Sequence, residues 1–245
     1  FGDANNLESP PSFPGGWQIG EPDLILPMAS EPFTVPAGGT VEYQYFVIDP
    51  DFTDDRWVTA AEVVPGNRAV VHHAIAFIRP PDGVRMDGLG WLSAYVPGQR
   101  MPPPQSHRAR RVPKGSKIVF QMHYTPTGKV EQDLSKIGLT FASADQVTEE
   151  LLTIVGINQA IEIPPQQADV AINGETETLP LGGKLLAMSP HMHLRGKAFQ
   201  VQIGQQDKEA ILLDVPHYDF NWQHTYLLEQ PVDLDSIDSL KFTAT

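Results

Sequence analysis

The sequence predicts an all-β chain built as β-sandwiches, on three observations. Short apolar segments follow one another along all 245 residues, set apart by 23 prolines and 20 glycines. No stretch sustains the apolar period of an amphipathic helix. Three segments open with a related turn: VPAGG before Val41, VPKGS before Ile118 and LPLGG before Leu185. Many short strands with Gly/Pro punctuation suit sandwiches rather than alternating β/α units. Pro in the second turn position with Gly two residues later fits a type I turn. In two of the three, a histidine closes the following strand: Pro113 leads to His123 and Pro180 to His191. This repetition points to two similar sandwiches in tandem.

The elements follow in order. VEYQYFVI (41–48) alternates, with Val41, Tyr43, Tyr45 and Val47 on one face of a half-buried strand. RAVVHHAIAFI (68–78) and SKIVFQMHY (116–124) are rich in Val, Ile and aromatics and read as strands. So do KLLAMSPHMH (184–193), KAFQVQI (197–203), EAILLDV (209–215) and SLKFTAT (239–245). In QVTEELLTIVGI (146–157) the Thr153-Ile154-Val155 run favours a strand. Polar FASADQVTEE (141–150) is the natural boundary. The expected division is a Pro/Gly-rich extension or linker over 1–25, a first sandwich over 26–146 and a second over 147–245. SLKFTAT stops inside an alternating pattern with no closing turn, so the second sandwich is expected to be incomplete.

Composition excludes several function classes. Seventeen Lys and Arg against 30 Asp and Glu give a net charge of -13, a poor match to nucleic acid or an anionic membrane. No apolar run approaches the roughly 18 residues of a membrane span. With no cysteine, disulfides, zinc-thiolate sites, cysteine nucleophiles and covalent haem attachment are all excluded.

Histidine is where the chemistry concentrates. His191 and His193 are i and i+2, so on a strand both project from one face, with α-carbons about 6.6 Å apart. Both imidazoles can then reach one ion; the alternative is a pair of exposed polar residues. Met192 points the other way, toward a core. His72 and His73 are adjacent and face opposite sides of a regular strand. They share a ligand only if the strand bends or bulges, or if they use different ring nitrogens. On VFQMHY, Val119, Gln121 and His123 share one face and Phe120, Met122 and Tyr124 the other. A third imidazole from another strand would complete a trigonal nitrogen site suited to copper or zinc. His107 lies in a Pro/Arg-rich loop, and His217 and His224 flank DFNWQ, where Trp222 reads as a core residue.

The order of these motifs resembles the type II copper, ascorbate-dependent monooxygenases, the family of the peptidylglycine α-hydroxylating and dopamine β-monooxygenases. VVHHAIAF resembles the family's first histidine pair and FQMHYTPTG the segment with the third ligand of the same copper. IEIPPQ followed by LAMSPHMHLRGK resembles the stretch into the second copper site, and YDFNWQHTYLLEQP adds to the likeness. The likeness runs from about residue 35 to the end and is greatest to a bacterial branch whose members often follow a cytochrome c domain.

The resemblance implies two consecutive antiparallel, jelly-roll-like β-sandwich domains with a solvent cleft between them. His72, His73 and His123 would carry the electron-transfer copper, with Gln121 near it. His191 and His193 would hold the catalytic copper, where a substrate C–H bond is hydroxylated. The implied partners are a small-molecule or peptide substrate, dioxygen, and ascorbate or another electron donor, such as a cytochrome c domain, fused or separate. The implied setting is periplasmic or secreted. Two departures stand out. The family's catalytic copper also takes a methionine from a segment downstream of this sequence, which Met188 and Met192 do not match, so that site is expected to be incomplete. Ser189 stands where peptide-amidating members carry an arginine that binds a substrate carboxylate. Two other readings remain at this point: a non-catalytic copper-binding or electron-transfer module, and a carbohydrate- or protein-binding sandwich with incidental histidines.

Overall fold

The computed structural model describes residues 16–97, 104–176, 179–205, 208–220 and 222–245. Among the described residues there are seventeen strands and no α-helix. They are β1 (Leu24–Pro27), β2 (Phe33–Val35), β3 (Gln44–Ile48), β4 (Arg56–Val64), β5 (Val71–Arg79) and β6 (Trp91–Tyr95). Next come β7 (Arg108–Val112), β8 (Lys117–Tyr124), β9 (Glu131–Asp133), β10 (Lys136–Ala142) and β11 (Glu149–Glu150). The remainder are β12 (Ile172–Glu175), β13 (Lys184–Met188), β14 (Phe199–Gln205), β15 (Lys208–Val215), β16 (Tyr226–Asp233) and β17 (Ser239–Ala244). No helix among these residues is long and apolar enough to cross a membrane.

Two sheets make the first sandwich. One has the order β1-β10-β4-β7-β11 and the other β3-β8-β5-β6. Their facing sides meet in one core. Val58, Ala61, Val63, Val112, Ile137 and Leu139 come from the first sheet, and Ala74, Ala76, Ile78, Ile118, Phe120 and Met122 from the second. β8 shows why its register holds. Ile118, Phe120, Met122 and Tyr124 are fully buried, each worth about 2 kcal/mol of transfer free energy. A one-residue slip would turn all four out to water. That burial leaves Val119, Gln121 and His123 on the outer face, as the alternation predicts.

A second, smaller core lies in the later strands. Phe199, Val201, Val215, Leu234, Ile237 and Leu240 form it, over the sheet β12-β17-β14-β15 and the pair β13-β16. Phe199 and Phe242 stack in it with ring centroids 5.4 Å apart.

Several expectations are corrected. Two of the repeated turns are displaced by one position: Ser116 N donates to the Pro113 carbonyl, and Gly115 has φ +70°, so Pro is first and Gly third. A positive φ there belongs to a type II turn, not type I; Gly182, at φ +68°, takes the matching place after Pro180. Val41 packs on the core as expected, but from Tyr43 onward the buried face is reversed. Tyr43, Tyr45 and Val47 are exposed, while Phe46 and Ile48 pack on the core; β3 is an edge strand of its sheet. The 146–157 segment contributes only the short β11, which runs parallel to β7, and Leu151 to Ile157 form no strand. The Leu151 amide still donates to Ala109 and the Leu89 amide to Thr153, so this stretch is tied to the first sandwich. The strand expected over 184–193 ends at Met188. Trp222 is 56% exposed rather than core, its ring 4.3 Å from that of His224. Residues 1–15 of the N-terminal segment lie outside the described residues; beyond them, Gln18 and Ile19 donate their amides to Glu62, and β1 joins the first sheet beside β10.

Asp133 organises the approach to β5. It is 1% exposed and accepts from the Tyr124 hydroxyl at 2.9 Å, the Ser135 hydroxyl at 2.8 Å and the Asn67 amide at 2.8 Å. The Asn67 carbonyl in turn accepts from Val70 N and Val71 N. Asp133→Ala leaves three donors short of a partner and should cost about 3 kcal/mol, seen as a lowered midpoint in urea unfolding with an unchanged slope.

Candidate metal centre

Parity along β5 brings two adjacent histidines to one side. Ala74, Ala76 and Ile78 point into the core, and strict alternation would put Val71 outside. Val71 is nevertheless buried, because the ladder to β8 slips by one residue between Val71 and His73. The extra residue is His72. A β-bulge of this kind re-aims side chains, which is the condition the HH pair needs to act as a unit.

His73 then stands directly opposite His123 on β8. The three ring centroids lie 5.3 Å (His72–His73), 5.2 Å (His72–His123) and 4.8 Å (His73–His123) apart. One nitrogen from each falls within 4.8 Å of the other two. His72 Nδ1 faces His73 Nδ1 at 3.1 Å, while His123 Nδ1 is buried without a hydrogen-bond partner. Burial lowers the pKa of all three. His73, at 8% exposure, falls to about 3, with His123, His72, His191 and His193 adding to the effect. Burial and then His123 lower His72; burial and then His193 lower His123. The group is therefore three neutral imidazoles, one of which buries a nitrogen that no protein group hydrogen-bonds. That donor set fits a late first-row ion, copper or zinc, and not a hard cation such as calcium.

The second pair behaves as its spacing predicts, without being in a strand. His191 and His193 are exposed and lie on one side, with ring centroids 5.1 Å apart. Met192 turns to the second core, and Met188 packs there too. The segment closes in a turn where Gly196 N donates to the His193 carbonyl at 2.8 Å. A Cβ at Gly196 would stand 2.7 Å from Met192 Cβ and 3.0 Å from Tyr218 Cδ1, so only glycine allows this turn to sit so close.

Four neighbours are absent from the sequence reading. Tyr43 lies 5.0 Å from the His123 ring and 5.8 Å from that of His73, and burial pushes its phenol pKa up. Phe220 stacks on His72 at 5.1 Å and meets His193 edge-on at 6.1 Å, so one ring touches both histidine sets where a solvent cleft was expected. Gln223 Oε1 is 2.6 Å from His191 Nδ1. The Tyr218 hydroxyl lies between the Met192 amide and carbonyl, at 2.9 and 2.7 Å. The alternation of aromatics before His123's partner strand and the YDF run were the only signals in the sequence, and neither specifies a contact. Gln121, on the His123 face, donates its amide to the Tyr45 hydroxyl at 2.8 Å. Ser189 and Thr225 pair through their hydroxyls at 2.8 Å.

Residues 148–245 match the family model described as copper type II ascorbate-dependent monooxygenase, C-terminal domain. That stretch includes His191 and His193, and over it the chain is similar to the C-terminal domain of this family. No curated protein matches the chain.

Two outcomes follow from the geometry. Metal-free protein should lose stability as the pH falls from about 6.5 toward 3, because the unfolded chain takes up a proton on His73 near the ordinary value while the folded one does not. Urea midpoints between pH 7.5 and 5 test this, and the slope should be shallower in His73→Phe. Gly196→Ala should destabilise the second core by about 2 kcal/mol and broaden the resonances of His191 and His193.

Proposed function

We propose that the chain carries the copper-binding core of a monooxygenase, with His72, His73 and His123 holding one copper and His191 and His193 a second. One observation carries the reading: the β5 bulge gathers three neutral imidazoles in a chain whose residues 148–245 match a copper monooxygenase family model. When bound, copper supplies one-electron transfer and the activation of dioxygen. The overall change converts a substrate C–H bond to C–OH. One oxygen atom enters the product and the other leaves as water, using two protons and two electrons from ascorbate or another one-electron donor. A cytochrome c domain, fused or separate, is one such donor, and the setting is periplasmic or secreted.

The chain's own residues hold and shield. β5 and β8 are tied by backbone pairing and a full core, so His73 and His123 arrive with little freedom to lose on binding an ion. The rings of Tyr43 and Phe220 lie against the imidazoles and limit water at the first set. Gln121, anchored by Tyr45, lends the His123 face a fixed amide that orients a ligand or a bridging water. Beside His191, Ser189 and Thr225 present paired neutral hydroxyls. Neither can make the charged contact that a substrate carboxylate needs, which favours a neutral substrate over a peptide with a free C-terminus.

Copper per chain, measured after reconstitution and exhaustive dialysis, tests the assignment. Two ions are expected, falling to one in His123→Ala with the second set intact, and to one in His191→Ala with the first intact. Oxygen uptake driven by ascorbate should need both. No retained copper in the unaltered chain would sink the reading in favour of a binding sandwich. Copper retained without oxygen uptake would favour an electron-transfer module.

A further inference from the structure

The segment that bears His191 and His193 lies past the end of the β13 ladder. Its neighbour is visible in the register. In the β13–β16 pair, Ala187 stands opposite Leu227 and Met188 opposite Tyr226. Continued past the last ladder position, that register puts Ser189 opposite Thr225 and His191 opposite Gln223. Both pairs touch, through side chains rather than backbone: Ser189 Oγ to Thr225 Oγ1 at 2.8 Å, and His191 Nδ1 to Gln223 Oε1 at 2.6 Å. Tyr218 adds a third tie by bridging the amide and carbonyl of Met192. A side-chain ladder takes over where the backbone ladder stops.

The Gln223 contact carries chemical information beyond position. Its amide nitrogen donates to the Phe220 carbonyl at 2.8 Å. A carbonyl oxygen only accepts, so the carboxamide cannot be turned over without setting two oxygens against each other. Gln223 must then offer its own oxygen to His191, and a nearby Nδ1 can pair with that oxygen only by carrying the proton. Phe220 thus fixes the orientation of Gln223, and Gln223 fixes the tautomer of His191.

We propose that Gln223 is a positioning residue that holds His191 in the Nδ1–H form and so selects Nε2 as its metal-binding nitrogen; the selection rests on the copper reading above, the hold on His191 does not. A hydrogen bond to the far nitrogen of a ligating imidazole orients the ring and raises its basicity. Here a neutral amide does this, so the ring gains orientation without an added negative charge. The same bond links the second set to the first, since the Phe220 ring whose carbonyl anchors Gln223 stacks on His72.

The test uses the full chain, metal-free and labelled with nitrogen-15, at pH 8. Two-bond nitrogen–proton correlation reads the tautomer of each histidine. Unaltered protein and Gln223→Glu should show His191 as Nδ1–H. Gln223→Leu, of similar size but with no acceptor, should move it toward the Nε2–H form that free imidazole prefers. Thr225→Val, which loosens the same segment without touching the ring, should leave the tautomer as it was. Copper at the His191 set should bind about 10- to 100-fold more weakly in Gln223→Leu, with recovery in Gln223→Glu, and the nitrogen hyperfine pattern of Cu(II) at that set should change with it. His191 as Nε2–H in the unaltered protein, or an unchanged tautomer in Gln223→Leu, overturns the proposal. A tautomer that shifts as expected in a protein that retains no copper supports the hold of Gln223 on His191 and overturns the copper reading instead.

Discussion

A conflict of parity in β5 underlies the first histidine set. The core needs Val71 on the same side as Ala74, Ala76 and Ile78, and no uninterrupted strand can supply that, because side chains alternate with a period of two. One extra residue resolves it. The cost is a break in the ladder at His72, which burial of Val71 and the turn held by Asn67 and Asp133 offset. Once the bulge is in place, His72 and His73 leave the strand toward the same side, and His123 meets them because Phe120, Met122 and Tyr124 have already fixed the facing of β8. Three imidazoles converge as a consequence of how apolar residues are placed one position away from each of them.

The second set rests on weaker ground and is built differently. Its core is smaller, and its buried residues keep 7–9% of their surface where the β8 residues of the first keep almost none. His191 and His193 lie beyond the last paired residue of β13. Side chains of 218–225 hold them: a hydroxyl pair, a carboxamide and a phenol bound to both polar groups of one peptide residue. Such bonds are each worth about 1 kcal/mol, so this arm is easier to displace than the first. Phe220 sits where the two meet, with His72 against its face and His193 at its edge.

What could be read in the sequence is what depends on local period. The two faces of β8 follow from its alternation, and the outward pair His191 and His193 follows from i, i+2 spacing even though no ladder forms there. Of the motifs HH, QMHY and HMH, whose order resembles one family, HMH lies within residues 148–245, which the family model matches. What could not be read depends on partners distant in sequence. Tyr43, Tyr45 and Val47 alternate as a buried face should, but β3 lies at a sheet edge and its Phe46 and Ile48 take the core instead. The apolar run after Glu150 looks like a strand but forms no ladder, and is held instead by bonds to Ala109, Arg110 and Leu89. Gln223 is one polar residue among many until the β13–β16 register is known. The bulge itself was legible only as a condition, that adjacent histidines cooperate if the strand breaks its alternation.

The placement of these rings is difficult to explain by packing alone. Three imidazoles bring one nitrogen each to a common space; His72 and His73 pair there through their Nδ1 atoms, while the His123 Nδ1 is buried with no hydrogen-bond partner in the protein. Protonation does not relieve the cost, since a charge on His73 is opposed first by burial and then by its histidine neighbours, which push its pKa down to about 3. An apolar trio at these positions would serve the sandwich at least as well. The arrangement makes sense where the missing partner is an electron-pair acceptor with a positive charge. It then supplies to the His123 nitrogen what the protein does not, and the same aversion to protons becomes readiness to bind the ion. The same reasoning applies less strongly to His191 and His193, whose exposure lets water satisfy them. There the tautomer imposed through Phe220 and Gln223 is the sign of a prepared ligand, because solvent alone has no use for a nitrogen kept free on one side of the ring.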